Sequence, residues 1–344
     1  MAKGKVDKIR MAVIGYGGAF NMAKAHANWA AQGGIELVAA CDVDPARAAA
    51  AAEDFPGIAT YTDVGAMLKG SKFEVAVVIT PHNTHADIAI QCSKAGRHVV
   101  VEKPMCITVA EADAMIAAAK KTGKVLTIFH NRRHDGDYLA LKEVVDKGLI
   151  GDVFKIEMYM GGYGRPGTWW RSKKDISGGA FYDWGAHMLD WCLHIMGKRI
   201  SYVMGYFHEN LVWTHVTNED HVHAVMRFED GATADVQLSS IQRIGKPRWL
   251  VLGTKGAVQD LGDRFRVVTD VKGITADMAV PYKKAEWDRM PFYVNLAAHL
   301  RGKAPLEVTP ESARRPIAIC EAAEVSSRTG QPQVVPHENE ALYL

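Results

Sequence analysis

Two stretches of this sequence carry the groups that binding an anion and moving a proton require. The first is Gly15-Tyr16-Gly17-Gly18-Ala19-Phe20, directly after the apolar run Arg10–Ile14. Glycines there permit a tight turn and let the backbone approach a pyrophosphate at a helix N-terminus. A glycine-rich turn after a strand can also be only a turn. The third position of the glycine pattern is Phe20, which reads as a stretched turn with Ala23 or Ala27 as the small packing residue. The second apolar run ends in Cys41-Asp42. A carboxylate at that strand tip can accept hydrogen bonds from adenosine ribose hydroxyls and would repel a 2′-phosphate. This favours NAD as cofactor, while Arg47 keeps NADP open. Asp44 reads as a plain N-cap for a helix that starts with Pro45.

The second stretch is Gly178-Gly179-x3-Asp183-x-Gly185-x-His187-x2-Asp190. An imidazole ordinarily titrates near ~6.5, so His187 is a candidate catalytic base. Asp183 lies four residues earlier, on the same face of the expected helix, and can orient the ring. Asp190 and His194 continue this stripe. The opposite stripe, Trp184, Met188, Trp191 and Ile195, is apolar and should face a core. Taken alone, the polar stripe reads as a solvated face; the glycine pair before the helix and Glu102-Lys103-Pro104 reverse that for Asp183 and His187, His194 stays with it, and Asp190 is placed behind the catalytic pair. Lys103 ends a buried strand, where ligands bind in open α/β sheets. An ammonium beside a hydroxyl favours the alkoxide.

Further candidates lie nearby in the sequence. Arg132 is the better substrate-facing choice among Asn131, Arg132 and Arg133. Tyr163, Trp170 and Arg171 occupy a glycine- and aromatic-rich stretch before the His187 helix. Aromatic faces stack on sugar C–H surfaces, and arginine can bind hydroxyls. His221 and His223 share a strand face, but with His215 they lack a third ligand at a characteristic spacing, so no metal is expected.

The elements that must position these groups follow from periodicity. Short apolar runs at Arg10–Ile14, Ile35–Cys41, Glu74–Thr80, His98–Val101 and Lys124–Phe129 read as strands buried on both faces. Helical patterns separate them, so the first part is a doubly wound parallel sheet. After about residue 130 several strands follow one another without helices, and Glu229-Asp230-Gly231 marks a hairpin. The second part is therefore an α/β domain with an open, mixed and largely antiparallel sheet. The expected domains are 1–132 and 133–344. The length of 344 residues exceeds what one core serves. With 48% apolar and 23% charged residues and a net charge of +2, disorder, coiled coil and a nucleic-acid footprint are excluded. No run approaches the ~18 apolar residues of a membrane span, and no signal peptide is visible. The five cysteines form no CxxC, which suits reduced thiols in a cytoplasm.

Three further segments, Thr80-Pro81-His82-Asn83-Thr84-His85, Glu102-Lys103-Pro104 and the Asp183-x3-His187 stretch, together with the glycine loop, resemble the Gfo/Idh/MocA oxidoreductase family over residues 8 to about 330. The resemblance implies a Rossmann domain followed by an α/β domain, a nicotinamide cofactor, and a sugar, polyol or cyclitol as the small-molecule substrate. It implies that Gly15, Gly17, Gly18, Ala19, Phe20, Asp42, Thr80, Pro81, His82, His85, Glu102 and Lys103 line the cofactor. It assigns catalysis to Lys103, Asp183 and His187, and a substrate surface to Arg132, Tyr163, Trp170, Arg171, Asp183 and His187. A homo-dimer or homo-tetramer is expected, with no nucleic-acid or membrane partner. A cis Lys103–Pro104 peptide bond is expected, as is a late helix with Ser326, Ser327 and Gly330. Two other functions stay open: a glycosidase that uses NAD as a transient oxidant, and a non-catalytic regulator that senses NAD(P).

Overall fold

A computed structural model describes residues 8–18, 20–283 and 289–339. Ala19 and Trp287 lie outside the described residues. The chain divides into two compact units. The first draws on Met1–Cys106, Ala110–His130 and Trp287–Ala313; the second on Ile107–Val109, Asn131–Glu286 and Arg314–Leu344. The stretch from 287 to 313, assigned to the second domain from sequence, thus belongs with the first unit.

The first unit holds six parallel strands: β1 (Ile9–Ile14), β2 (Ile35–Cys41), β3 (Ala59–Tyr61), β4 (Val75–Val78), β5 (His98–Val101) and β6 (Leu126–Ile128). Their order is β3-β2-β1-β4-β5-β6. The direction of winding reverses between β1 and β4, and a crevice opens at the carboxyl ends of the strands at such a switch point. Every residue of β4 is buried, as a strand covered on both faces must be. β3 was not anticipated; three residues give too little periodicity to read.

Helix Met290–Leu300 packs on helix Met22–Gln32 within this unit. Its Phe292 and Tyr293 are 3% and 0% exposed and join Trp29 and Phe129 in an aromatic cluster. Burying each such ring is worth about 1.5–3 kcal/mol, which explains why so late a segment returns here. Thr127 Oγ1 also donates to the Val308 carbonyl at 2.8 Å.

The second unit is built on eight strands: β7 (Val153–Gly161), β8 (Ile200–Glu209), β9 (Glu219–Phe228), β10 (Thr233–Ser239), β11 (Trp249–Gly253), β12 (Gly256–Asp260), β13 (Arg264–Val271) and β14 (Ile274–Pro281). The order is β14-β13-β12-β11-β7-β10-β9-β8. Only β7 and β10 run parallel; the other pairs are antiparallel. The architecture is α/β, with a parallel Rossmann sheet and a mixed, mostly antiparallel one. The last three strands were not read from the sequence. On the edge strand β8, the Gly205 N–H donates to Ser326 Oγ at 3.1 Å and the Phe207 N–H to Ser327 Oγ at 2.8 Å, so the serines of helix Pro310–Thr329 tie it to the sheet. No described helix is long and apolar enough to cross a membrane.

Candidate functional site

In the first unit the glycine loop closes as its composition demands. Gly15, Gly17 and Gly18 all have positive φ, at 92°, 81° and 77°. A Cβ on Gly15 would collide with the Ile79 carbonyl at the end of β4, so only glycine fits there. Phe20 is 67% exposed and the helix starts only at Met22, capped by Asn21. The stretched turn therefore leaves a glycine-lined opening ahead of the helix N-terminus, with no acidic residue in its first turn to oppose an anion. This cradle fits a dinucleotide pyrophosphate.

Asp42 is 7% exposed and anchors the loop. Its Oδ2 accepts the Tyr16 N–H at 2.7 Å and its Oδ1 the Asp44 N–H at 2.9 Å. Each oxygen keeps a second lone pair, so the carboxylate can still receive a ribose hydroxyl. Asp44 caps its helix through the Ala46 N–H at 2.9 Å. The methylenes of Arg47 lie beside Gly17, and its half-exposed guanidinium is 3.6 Å from Asp44.

Beyond β4, Thr80 takes a hydrogen bond from the Thr84 hydroxyl at 2.7 Å. Pro81 precedes a short 3-10 turn, His82–Thr84. His82 is buried, 5.6 Å from His85 between ring centroids. His85 is fully buried, with its ring nitrogens 2.9 Å from the Thr80 and Pro104 carbonyls. It staples the turn after β4 to the turn after β5. Those turns carry the candidate residues, and the Lys103–Pro104 bond is cis.

Glu102 and Lys103 follow β5 directly. Glu102 Oε2 accepts the Lys103 N–H at 2.9 Å, and Oε1 lies 3.0 Å from His26 Nε2. Burial pushes this carboxyl up, but the hydrogen bond and charge of His26 and the charge of Lys103 outweigh it, so it titrates below its ordinary value.

In the second unit, Phe181–Gly185 forms a π-helical turn that runs into helix Ala186–Met196. The sequence led us to expect one regular α-helix here. The turn starts from Gly178 and Gly179, whose φ values are 83° and 114°. A Cβ on Gly179 would lie 2.7 Å from Glu219 Oε2. Glu219 accepts the Ala180 N–H at 2.7 Å and pairs with Lys174 at 2.8 Å. Desolvation lowers the Lys174 pKa, but Glu219, Glu209 and Glu324 outweigh it, and the ammonium titrates above its ordinary value. Glu219 escaped notice in the sequence because nothing local ties it to Ala180, 39 residues away.

Half of the polar stripe is buried, and Asp183 and His194 stay partly exposed. His187 and Asp190 are 3% and 2% exposed. The His187 ring lies between Trp184 and Trp191, at 5.9 and 6.1 Å between centroids. Asp190 binds Arg133 through two bonds of 2.8 and 2.6 Å. His194 retains 32% side-chain exposure, and burial, opposed by Asp190, holds its pKa below the usual value. Asp183 pairs with Arg171 at 2.8 Å, a partner the sequence reading did not assign to it.

Arg171 lies 4.6 Å from the Trp170 ring centroid, which joins three of the proposed residues into one group. Tyr163 is 43% exposed, beneath Arg243 at 3.6 Å and 5.4 Å from Trp213. Arg132 stacks on Trp184 at 4.4 Å and bonds Asp135 at 2.8 Å. It opens into a cavity of about 640 Å³ with Asp137, Arg248, Asp260 and Tyr282. Among the described residues, no group of three or more His, Cys, Asp or Glu side chains could hold a metal ion.

Residues 9–130 match the family profile described as "Oxidoreductase family, NAD-binding Rossmann fold", and residues 138–259 match the "GFO/IDH/MocA C-terminal domain". The chain is similar to the uncharacterized oxidoreductase YdgJ of Escherichia coli (strain K12), at 33% identity over 197 residues, which spans 57% of this chain and 56% of that protein. It is similar to the scyllo-inositol 2-dehydrogenase (NADP(+)) IolW of Bacillus subtilis (strain 168), at 26% identity over 360 residues, 97% of this chain and 98% of that one. Among solved structures, the WlbA dehydrogenase from Bordetella pertussis in complex with NADH and UDP-GlcNAcA aligns with a TM-score of 0.80 at 26% identity, covering 96% of this chain and 99% of that one.

Proposed function

This chain belongs to the Gfo/Idh/MocA family of NAD(P)-binding oxidoreductases, and from that premise we propose that it moves a hydride between nicotinamide and a hydroxyl carbon of a sugar, cyclitol or related polyol. The observation that carries the reading is the cradle at Gly15, closed against Ile79 and anchored by Asp42. The bound nicotinamide supplies a hydride acceptor or donor; the protein's own groups supply the rest. Gly15, Gly17 and Gly18 hold the pyrophosphate, and Asp42 and Glu102 meet ribose hydroxyls. Thr80, Pro81 and His82 border the dinucleotide, and His85 fixes their turn. Arg47 supports use of NADP as well as NAD.

Oxidising an alcohol also requires removal of its proton. His187 is the proposed base, and Lys103 the proposed cation that favours the alkoxide. Asp183, held by Arg171, is the proposed carboxylate that orients His187 and stabilises its imidazolium. Arg132 with Asp137, Arg248 and Asp260 offers donors and acceptors together, which suits the hydroxyls of a polyol. IolW, named for a cyclitol, supports that substrate class. Half-buried Val225, Leu250 and Leu252 on the sheet face opposite the Gly205 side support a homo-dimer or homo-tetramer. Five buried free cysteines suit a reducing, cytoplasmic setting.

The test is a screen of inositols, sugars and sugar acids with NAD⁺ and NADP⁺, following NAD(P)H absorbance. The expected result is turnover on at least one such hydroxyl. Failure of the protein to bind either dinucleotide would end the proposal.

A further inference from the structure

Behind Glu102 lies a buried chain of two more polar side chains, His26 and Tyr293, with no role in the proposed reaction. His26 lies on helix Met22–Gln32 and is 0% exposed. Its Nε2 is 3.0 Å from Glu102 Oε1, and its Nδ1 is 2.5 Å from the hydroxyl of Tyr293, which is also fully buried. All three belong to the first unit. A carboxylate is an acceptor only, so Nε2 must carry the hydrogen it shares with Glu102. In a neutral ring Nδ1 is then bare and accepts the Tyr293 O–H. With a neutral ring the donors run from Tyr293 to His26 to Glu102, and with a protonated ring Nδ1 donates to Tyr293; in both forms Nε2 donates to Glu102.

We propose that His26 and Tyr293 are positioning residues for the dinucleotide: Tyr293 fixes the tautomer of His26, and His26 holds Glu102 as an aimed, ionised acceptor for the ribose of the cofactor. The inference rests on the reading that Glu102 meets that ribose. Phe129, at 4.3 Å, and Trp29, at 5.7 Å, enclose the His26 ring, so water does not replace the missing partner if one link is cut. The ionisable groups facing Glu102 are His26 from its helix, Lys103 beside it, and Tyr293 from helix Met290–Leu300.

The pH sign follows from the balance at Glu102. With His26 present the carboxyl is held low, so the acceptor stays ionised through neutral and mildly acid pH. Without the His26 donor, burial dominates and the carboxyl protonates at a higher pH. Dinucleotide affinity would then fall as pH is lowered.

The experiment titrates NADH and NADPH onto the purified protein from about pH 5 to about pH 8, a window that brackets ordinary carboxyl and imidazole titration, following nicotinamide fluorescence. His26→Leu keeps the volume and removes the donor; His26→Gln restores one. The expected result is a roughly 10- to 100-fold loss for H26L, the range for a hydrogen bond to a charged group, growing as pH falls. H26Q should stay within a few-fold of wild type with a flat profile. Tyr293→Phe is the milder variant, expected to lose about 2- to 10-fold, and it decides the matter if H26L does not fold. Equal, pH-independent losses in H26L and H26Q mean packing alone and overturn the inference, as does wild-type affinity in Y293F. Glu102→Gln separates the two levels: if E102Q binds as wild type does, the reading of Glu102 itself fails and takes this inference with it.

Discussion

The Arg133–Asp190 pair offers the most quantitative test of how the second unit holds its candidate base. Asp190 sits three residues beyond His187 on the same helix, and both partners are nearly out of solvent, with side chains 7% and 3% exposed. Two charge-assisted bonds of 2.8 and 2.6 Å join them. Asp190→Asn removes the counter-charge and leaves a buried guanidinium beside a neutral amide. Cutting a buried pair in this way costs about 3–5 kcal/mol. For a unit of this size each kcal/mol moves the midpoint by about 2–4 °C, so the second unit should melt roughly 6–20 °C lower. The double replacement Arg133→Met with Asp190→Leu removes both charges and fills the space. It should recover most of the loss, because desolvating the pair costs nearly what its attraction returns. Thermal unfolding by circular dichroism or calorimetry measures all three proteins. A D190N variant within about 1 kcal/mol of wild type, or a double variant as unstable as the single, would refute the reasoning.

Three further outcomes are expected. Gly15→Ala places a methyl against the Ile79 carbonyl in a backbone with φ 92°, a strain of about 1–3 kcal/mol before any clash. Dinucleotide binding should be lost while most of the thermal stability is retained, and unimpaired binding would show that the loop is not the cradle. Asp42→Ala frees the Tyr16 and Asp44 N–H groups, so affinity for NAD should fall, and by more than affinity for NADP; an unchanged cofactor ratio would remove Asp42 from ribose reading.

The thiols of Cys41 and Cys92 are pushed up, chiefly by burial, to about 11 and about 12. Their folded values exceed the unfolded ~8.5, so their contribution to stability is complete below that pH and is lost as pH rises through the folded values. Native protein at neutral pH should therefore resist iodoacetamide at both sites until it unfolds. Rapid labelling of either would contradict the burial.

The parallel half of the fold was legible because a strand covered on both faces must be a continuous apolar run, as Val75–Val78 is and as His98–Val101 is after its first residue. Strand β3 escaped because Ala59–Tyr61 carries no pattern that three residues can express. The hairpin of β13 and β14 was readable in principle. Its two-residue turn, Lys272-Gly273, has positive φ at both positions, and Arg264–Thr269 alternates exposed and buried residues. In the sequence the polar–apolar alternation breaks at Val268, an apolar residue on the half-buried face, and this hid the strand.

At the site, types and spacing singled out Gly15, Asp42, Lys103 and His187 as candidates. The partners did not show. The π turn at Phe181–Gly185 depends on Glu219 and Lys174 holding its start, and the pairing of Asp183 with Arg171 depends on where that turn points. His26 and Tyr293 are 267 residues apart, a contact that no local pattern encodes.

We propose that Lys103 and His187 manage the proton of the substrate hydroxyl. The direct measurement is turnover and dinucleotide affinity, side by side, for wild type, Lys103→Ala and His187→Ala on the best substrate of the screen. The account predicts turnover lower by ~10²–10⁴ in each variant, with the dissociation constant for NAD(H) nearly unchanged. Wild-type turnover in either variant, or loss of dinucleotide binding in H187A, would contradict it.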